Sequence, residues 1–146
     1  MIALLQRVNH AGVTVSGSMI AHIDRGLLVF IGFERGDTAD RSHRLFDRIM
    51  RYRVFGDENG RMNLSVRDIG GRVLLVSQFT LAAETSRGNR PGFDPAMPPD
   101  EARELYEDLV SYAGSTVPGT AFGEFGADMK VTLENDGPVT FLLRQQ

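Results

Sequence analysis

The sequence contains no cysteine among its 146 residues. Disulfide bonds, thiolate metal sites and a cysteine nucleophile are therefore excluded. No apolar run approaches the roughly 20 residues needed to cross a bilayer, and the apolar run at the N-terminus is too short for the core of a signal peptide. We therefore expect a cytoplasmic protein with no membrane partner.

Signatures of nucleotide cradles and of common metal sites are also missing. The chain has no GxxxxGK[ST], GxGxxG, HExxH or CxxC motif. Its three histidines, His10, His22 and His43, lie on separate early segments without a nucleophile or a second ligand beside them. We expect these histidines to be structural or surface residues, and the sequence indicates neither a cofactor nor a bound metal.

Lysine is nearly absent, because fifteen of the sixteen basic residues are arginine and Lys130 is the single lysine. The formal net charge of −3 argues against a nucleic-acid partner, since proteins that bind nucleic-acid phosphates usually have an excess of basic residues. Arginine, however, grips phosphate with a planar fork of donors. A high arginine content also arises from genome base composition, so composition alone leaves both explanations open.

Hydrophobic patterning predicts short β-strands in the first third of the chain. Turn-forming residues separate these apolar runs at Gly12, residues 16–18 and residues 25–26. This pattern predicts an antiparallel meander. The predicted strands are Ile2–Val8, Val13–Ser16, Met19–Asp24 and Leu27–Phe33.

A helix is predicted from Asp37 or Thr38, either of which can cap it, to about Tyr52. Four arginines recur on it at three- and four-residue spacing and therefore share one face. These are Arg41, Arg44, Arg48 and Arg51. The face is either a solvated surface partly neutralised by Asp40 and Asp47 or a phosphate-binding stripe.

Arg72–Phe79 has the length and apolar character of a central strand. Residues 82–99 follow as a long loop, which is unusual in a compact domain unless it serves a site. Pro99 opens a second helix, and Gly114 stands just past its predicted end. The tail returns to two strands, Asp128–Glu134 and Val139–Leu143, separated by a turn at residues 135–138.

Two helices against many strands in this order predict an α/β or α+β fold with a strongly curved, barrel-like, mostly antiparallel sheet. The length of 146 residues fits one domain, residues 1–146, better than two.

Two polar segments stand out as candidate sites, and the first is SQFTL at residues 77–81. It brings Ser77, Gln78 and Thr80 together where the most apolar strand ends. Strand ends that open into long loops commonly hold small-molecule sites. Strand periodicity places Gln78 and Thr80 on one face and Ser77 and Phe79 on the other. The alternative is a strand end whose hydroxyls satisfy neighbouring backbone groups.

The second segment is NDGPVT at residues 135–140, where Asp136-Gly137 between two strands ordinarily signals a tight hairpin. Pro138 cannot donate a ladder hydrogen bond and belongs at an edge or a special turn. A Gly-Pro peptide is also a candidate for the cis isomer, and such a turn would project bare backbone carbonyls. The alternative is a plain surface turn.

SQFTL and NDGPVT resemble the two signature motifs of the D-aminoacyl-tRNA deacylase family. Further segments resemble the same family in the same order, so the resemblance covers essentially the whole chain. They are LLQRV at 4–8, GLLVFIG at 26–32, RVFGDENGRMNLSV at 53–66, GNRPGF at 88–93 and FGADMKVTLENDGP at 125–138. The chain departs from the family at three positions. The family often has glycine where this chain has Ala21 and Asp24, and often has serine where this chain has Gly92.

The resemblance implies the fold of that family and a homodimer with active sites at the subunit interface. It implies hydrolysis of D-aminoacyl-tRNA, and of glycyl esters on mischarged tRNA. In that family the Gly-Pro peptide is cis, and its carbonyls enter the partner's pocket to exclude L side chains, a role that falls to Gly137 and Pro138. The pocket for the aminoacylated 3′-terminal adenosine would be lined by the catalytic residues Ser77, Gln78, Phe79 and Thr80. Phe125 and Met129 are further candidates for binding the substrate there.

No histidine or lysine is placed by the sequence to activate Thr80, so we favour a mechanism in which the protein positions the ester. The neighbouring ribose hydroxyl then helps to activate water. Arg87 and Arg90, together with the arginine face of the first helix, are candidate phosphate contacts. The alternatives are a non-catalytic dimeric tRNA- or nucleic-acid-binding module of the same fold and a hydrolase of other D-amino-acid esters or amides.

Overall fold

The computed structural model describes all 146 residues, which form eight strands, two α-helices and one 3-10 helix. The strands are β1 (Ile2–Val15), β2 (Ser18–Ile23), β3 (Gly26–Gly32), β4 (Phe55–Gly56), β5 (Met62–Leu64), β6 (Arg72–Ser77), β7 (Ala121–Phe122) and β8 (Met129–Arg144). The helices are α1 (Ala39–Arg51) and α2 (Pro99–Thr116), and the 3-10 helix covers Phe79–Ala82. Neither α-helix is long and apolar enough to cross a membrane.

The main sheet is built around β1. This strand pairs antiparallel with β3 along its first half, with β2 along its second half, and with β8 along nearly all of its length. On the far side of β3 the sheet continues through parallel pairs with β6 and β7. The sheet curls until β2 comes close to β6 and β7. The predicted mixed fold, with a strongly curved, mostly antiparallel sheet and two main helices, is confirmed.

The hydrophobic core lies on both faces of this sheet. On one face the two helices cover the larger apolar cluster, to which α1 contributes Leu45, Phe46 and Ile49. α1 begins where predicted, because the Thr38 side chain accepts a hydrogen bond from the Arg41 backbone N–H. On the other face the curled sheet encloses a smaller cluster of Val8, Ala11, Val13, Ile23, Leu28, Leu74 and Val76.

The prediction that α2 ends before Gly114 is wrong, because the helix runs to Thr116. The Val117 backbone N–H donates to the Ala113 carbonyl at 2.9 Å, which closes the last turn. A glycine inside a helix costs about 1 kcal/mol relative to alanine. The packing of fully buried Ala113 in the core outweighs that local preference.

The two strands predicted on either side of Gly12 form the single strand β1, so the predicted turn there is wrong. Gly12 stays in register with His22 on β2 and with Thr132 on β8. Two β1 residues, Arg7 and Asn9, fall outside the pairing with β8, and the strand absorbs these irregularities without turning. Pairing on both sides of the strand overrides the local signal of one glycine.

Residues 82–99 are a long connection, as predicted, but they are not structureless. Glu84 and Gly92 exchange two backbone hydrogen bonds of 2.8 and 3.0 Å, which close residues 84–92 into a small loop. Phe93, which follows this loop, lies against Phe79 with 5.0 Å between the ring centroids. The loop is therefore anchored beside the first candidate site segment.

Candidate active site

A cavity of about 510 Å³ opens where β6 ends and the 3-10 helix begins. Most of its wall is apolar and comes from β3, β6, β8, the start of α2 and the segment before β8. Asp128 is the single ionisable side chain in the wall. Five of the predicted site residues line this cavity together: Ser77, Gln78, Phe79, Phe125 and Met129.

The strand that carries the first motif ends earlier than predicted, at Ser77. The prediction that Ser77 and Phe79 face away from Gln78 is wrong, because the backbone leaves the strand conformation and all three residues line the cavity. Thr80 does not line it. Its Oγ1 accepts a hydrogen bond of 2.6 Å from the Gln78 side-chain amide, which ties Thr80 to the wall indirectly.

Gly32, at the end of β3, allows the 3-10 helix to pack close to the sheet. A Cβ at this position would lie 2.9 Å from both the Gln78 carbonyl oxygen and the Leu81 Cβ. The residues that open this 3-10 helix, Phe79 and Thr80, have backbone N–H groups that no carbonyl of the helix can accept. Such free donors beside a cavity can stabilise an oxyanion.

Tyr106 of α2 fixes the opposite wall. Its hydroxyl lies 3.2 Å from the Leu75 carbonyl oxygen and 3.0 Å from the Gly123 carbonyl oxygen, so it can donate to either. Burial raises the pKa of Tyr106 well above its usual value, which keeps this hydroxyl protonated. The ring packs against Phe125 with 5.8 Å between centroids. Tyr106 thereby positions Phe125 at the cavity, a role that only the tertiary structure reveals.

The second motif forms a bulge in β8. Thr140 pairs with Gln6, and Asn135 pairs with Val8, so residues 136–139 loop out opposite a single β1 residue. The predicted turn between two separate strands is therefore wrong, since both halves of β8 pair with the same neighbour. Within the bulge the Gly137–Pro138 peptide bond is cis, and both residues are exposed.

Arg7, the β1 residue opposite the bulge, holds it in place. Its Nε donates to the Asp136 carbonyl oxygen at 2.9 Å, and its Nη1 donates to the Val54 carbonyl oxygen at 2.7 Å. At the edge of the bulge, the Asn135 side-chain oxygen accepts a hydrogen bond from the Val139 backbone N–H at 2.7 Å. Sequence reasoning missed Arg7, although it lies in the LLQRV segment at residues 4–8.

Gly137 and Pro138 line no part of the cavity in their own chain. The predicted site residues therefore fall into two groups. One group lines the cavity at the end of β6, and the other forms an exposed bulge on β8.

The histidines lie on the surface or between helices. His10 and His22 are exposed. His43 stacks on Tyr112 with 3.9 Å between ring centroids, and its Nε2 lies 2.6 Å from Asp108 Oδ2, so it links α1 to α2. None of the three lines the cavity.

The arginines of α1 are engaged within the chain. Arg44 forms an ion pair with Asp40 at 2.6 Å, and Arg41 lies 3.9 Å from Asp37. Arg48 and Arg51 donate to backbone carbonyl oxygens. These contacts favour the solvated, partly neutralised face over the phosphate-binding stripe.

Comparison with known protein sequences gives one consistent result. Residues 4–144 match the sequence model of the family described as D-Tyr-tRNA(Tyr) deacylase. A protein named D-aminoacyl-tRNA deacylase from Dichelobacter nodosus is 57% identical, over 98% of this chain and 99% of its own length. A protein of the same name from Shewanella pealeana is 56% identical, over 99% of each chain.

Two solved structures share the fold. One, titled c-Myc DNA Unwinding Element Binding Protein, is 39% identical with a TM-score of 0.94 and covers 100% of this chain and 99% of its own. The other, a probable eukaryotic D-amino acid tRNA deacylase, is 16% identical with a TM-score of 0.81, covers 97% of each chain, and bears on the fold alone. The family match and the near full-length bacterial relatives show that the chain belongs to the D-aminoacyl-tRNA deacylase family.

Proposed function

We propose that the protein hydrolyses the ester bond of D-aminoacyl-tRNA and releases free tRNA and the D-amino acid. One observation carries this proposal: in a chain of this family, Ser77, Gln78 and Phe79 meet Phe125 and Met129 in one largely apolar cavity. Such a cavity suits the aminoacylated adenosine at the 3′ end of a tRNA. Since charged tRNA is a cytoplasmic substrate, we expect the enzyme to act in the cytoplasm.

The mechanism that we propose relies on positioning rather than on a protein nucleophile. The backbone N–H groups of Phe79 and Thr80, with the Gln78 amide, hold the ester carbonyl and stabilise the oxyanion that develops on it. Water attacks the carbonyl carbon with help from the neighbouring ribose hydroxyl, and the bond to the esterified ribose oxygen breaks. Thr80 is unsuited to direct attack, because a threonine hydroxyl is a poor nucleophile without an adjacent base.

Chirality is enforced, in our proposal, by the bulge of a second copy of the chain. The carbonyls of Gly137 and Pro138 enter the partner's cavity beside the α-carbon, where an L side chain would clash with them. Their exposure and their absence from the cavity of their own chain support a site shared between two subunits. Glycine has no side chain to exclude, so glycyl-tRNA is a partial substrate.

A row of apolar side chains supports the homodimer. Leu142 pairs with Leu4, Leu4 with Phe30, and Phe30 with Val76, so the four side chains share one face of the sheet. The row runs from Leu142, which is 52% exposed, to the cavity lined by Phe30 and Val76. An exposed apolar row that continues into a site suits burial against a second copy.

The direct test charges one tRNA with D-tyrosine, L-tyrosine or glycine and follows ester loss with sub-stoichiometric protein. We expect rapid loss of the D-ester, slower loss of the glycyl ester and no loss of the L-ester beyond spontaneous hydrolysis. Equal loss of the D- and L-esters would leave a hydrolase without chiral selection. Loss of none of the three esters would contradict the proposal.

One comparison favours a second candidate, a nucleic-acid-binding module without chemistry. The solved structure that is 39% identical to this chain is named for binding a DNA unwinding element. Binding to uncharged tRNA and to duplex DNA of matched length separates the two candidates. A folded protein that binds either nucleic acid and hydrolyses no ester would establish the binding module.

A further inference from the structure

Arg103 lies at the rim of the cavity, on the second turn of α2. Its Cζ is 4.9 Å from the centroid of the Phe125 ring, which lines the cavity. Its Nη2 lies 3.3 Å from the position that a Cβ on Gly126 would occupy, and Gly126 also lines the cavity. The guanidinium therefore covers the outer side of this wall.

The charge of Arg103 is not neutralised within the chain. It takes part in none of the ion pairs, whereas Arg44 of α1 is held by Asp40 at 2.6 Å. A guanidinium that rests on an aromatic ring is held in position while the N–H donors at its edge stay available. Arg103 is thus a positioned cation whose N–H groups can donate hydrogen bonds to a ligand.

The cavity wall contains no cationic side chain that would neutralise a phosphate. No lysine or arginine lines it, and its single ionisable side chain, Asp128, is an anion that Lys130 contacts at 2.8 Å. A nucleoside can enter such an apolar cavity, but its phosphate must remain at the rim. Arg103 is the cation in contact with that rim at Phe125.

We propose that Arg103 binds the phosphodiester that joins the terminal adenosine of the substrate to the rest of the tRNA. This inference rests on the proposed function. It identifies the residue through which the site prefers an aminoacylated nucleotide over an aminoacyl nucleoside without phosphate. In this contact the guanidinium N–H groups of Arg103 donate a charge-assisted hydrogen bond to a non-bridging phosphate oxygen.

The test compares two substrates that share the terminal D-tyrosyl-adenosine: D-tyrosyl-tRNA, in which a phosphodiester joins it to the rest of the tRNA, and 3′-O-D-tyrosyl-adenosine, which has no phosphate. For Arg103→Gln we expect KM for the tRNA ester to rise by about tenfold, as for loss of one charge-assisted hydrogen bond, with kcat unchanged. Kinetics on the adenosine ester stay as in the wild type. The salt dependence of log(kcat/KM) for the tRNA ester falls by about one unit of slope.

Arg44→Gln is the matched control, because it removes an arginine that is already paired with Asp40. We expect its kinetics on both substrates to equal those of the wild type. Equal loss on both substrates for Arg103→Gln would mean that Arg103 only supports Phe125, and this would overturn the proposal. Unchanged kinetics on the tRNA ester would overturn it as well.

Binding of AMP and of adenosine, measured by calorimetry, gives a readout that does not depend on hydrolysis. Wild-type protein should bind AMP more tightly than adenosine, and Arg103→Gln should bind the two equally. Equal affinities in the wild type would contradict the phosphate contact. If the wild-type protein preferred AMP but hydrolysed no ester, the proposed function would be rejected while the phosphate contact of Arg103 would stand.

Discussion

The side chain of Thr80 belongs to the candidate site without lining the cavity. Its Oγ1 accepts a hydrogen bond from the Gln78 amide at 2.6 Å, and it forms no hydrogen bond with a histidine or lysine. The hydroxyl therefore fixes the Gln78 amide, while the backbone N–H of Thr80 stays available at the start of the 3-10 helix.

Replacement of Thr80 by alanine separates positioning from nucleophilic attack. Thr80→Ala keeps the backbone N–H and removes only the support for Gln78, so we expect kcat on D-tyrosyl-tRNA to fall by no more than about tenfold. Single-turnover deacylation measures this directly, with Thr80→Ser as the matched control that retains a hydroxyl. A fall of several thousandfold in Thr80→Ala, with folding and tRNA binding intact, would identify Thr80 as the nucleophile.

At the scale of single residues, the sequence and its family resemblance identified five residues of the cavity wall but missed the residues that support it. The polar run at residues 77–80 was visible because polar side chains follow an apolar strand abruptly. Gly32 and Tyr106 carry no such signal. Their roles depend on contacts with Gln78 and Gly123, which lie far from them along the chain.

The β8 bulge is the element on which the proposed chiral selection depends. Its four looped-out residues, 136–139, are held by contacts that include a hydrogen bond from Arg7 to the Asp136 carbonyl oxygen and one from the Val139 backbone N–H to the Asn135 side chain. Gly137 has φ 151°, and a Cβ there would lie 2.6 Å from the Val139 backbone nitrogen, so a side chain at this position would force the bulge to shift.

Removal of Arg7 should loosen this element. We expect Arg7→Ala to lower the free energy of unfolding by about 2 kcal/mol, because the Val54 and Asp136 carbonyls lose a charged donor. It should also admit L-tyrosyl-tRNA as a substrate, since the bulge no longer has a fixed position. Urea unfolding and the D/L rate ratio measure the two effects.

The control for Arg7→Ala is Arg51→Ala, which removes an exposed arginine whose Nε donates to the Asp47 carbonyl on α1. It should leave the D/L rate ratio unchanged. If Arg7→Ala remained as selective as the wild type while losing stability, Arg7 would support the fold and not the chiral selection.

Local patterns predicted the elements well where local interactions decide them. α1 begins at its Thr38 cap, and the chain turns at Ser16-Gly17 between β1 and β2, as the sequence indicates. The patterns failed at Gly12 and at residues 135–138, where glycine signals a turn but the strands continue. In both places the pairing of β1 with β8 outweighs the local preference, and a single sequence contains no record of that pairing.

At the scale of the whole molecule, the two motifs lie on different surfaces of one chain. The cavity is at the end of β6, and the bulge projects from β8 without reaching it. The sequence could indicate both motifs, but it could not show this separation, because the curvature of the sheet determines it. We therefore propose that a function that uses both motifs in one site needs two copies of the chain.

Mixed dimers test whether the bulge of one subunit acts on the cavity of the other. One subunit carries Gly137→Ala, which alters the bulge and should by itself admit L-tyrosyl-tRNA. The other carries Ala127→Trp, which fills the cavity and should by itself hydrolyse no ester. In a mixed dimer the only open cavity belongs to the Gly137→Ala subunit, and it faces the intact bulge of its partner.

We predict that purified mixed dimers hydrolyse D-tyrosyl-tRNA at about half the wild-type rate, from one of two sites, and spare L-tyrosyl-tRNA. Rates on both esters, measured on dimers isolated with two different affinity tags, give the answer. Hydrolysis of the L-ester at half the rate of the Gly137→Ala homodimer would contradict the account, because it would mean that each bulge acts on the cavity of its own chain.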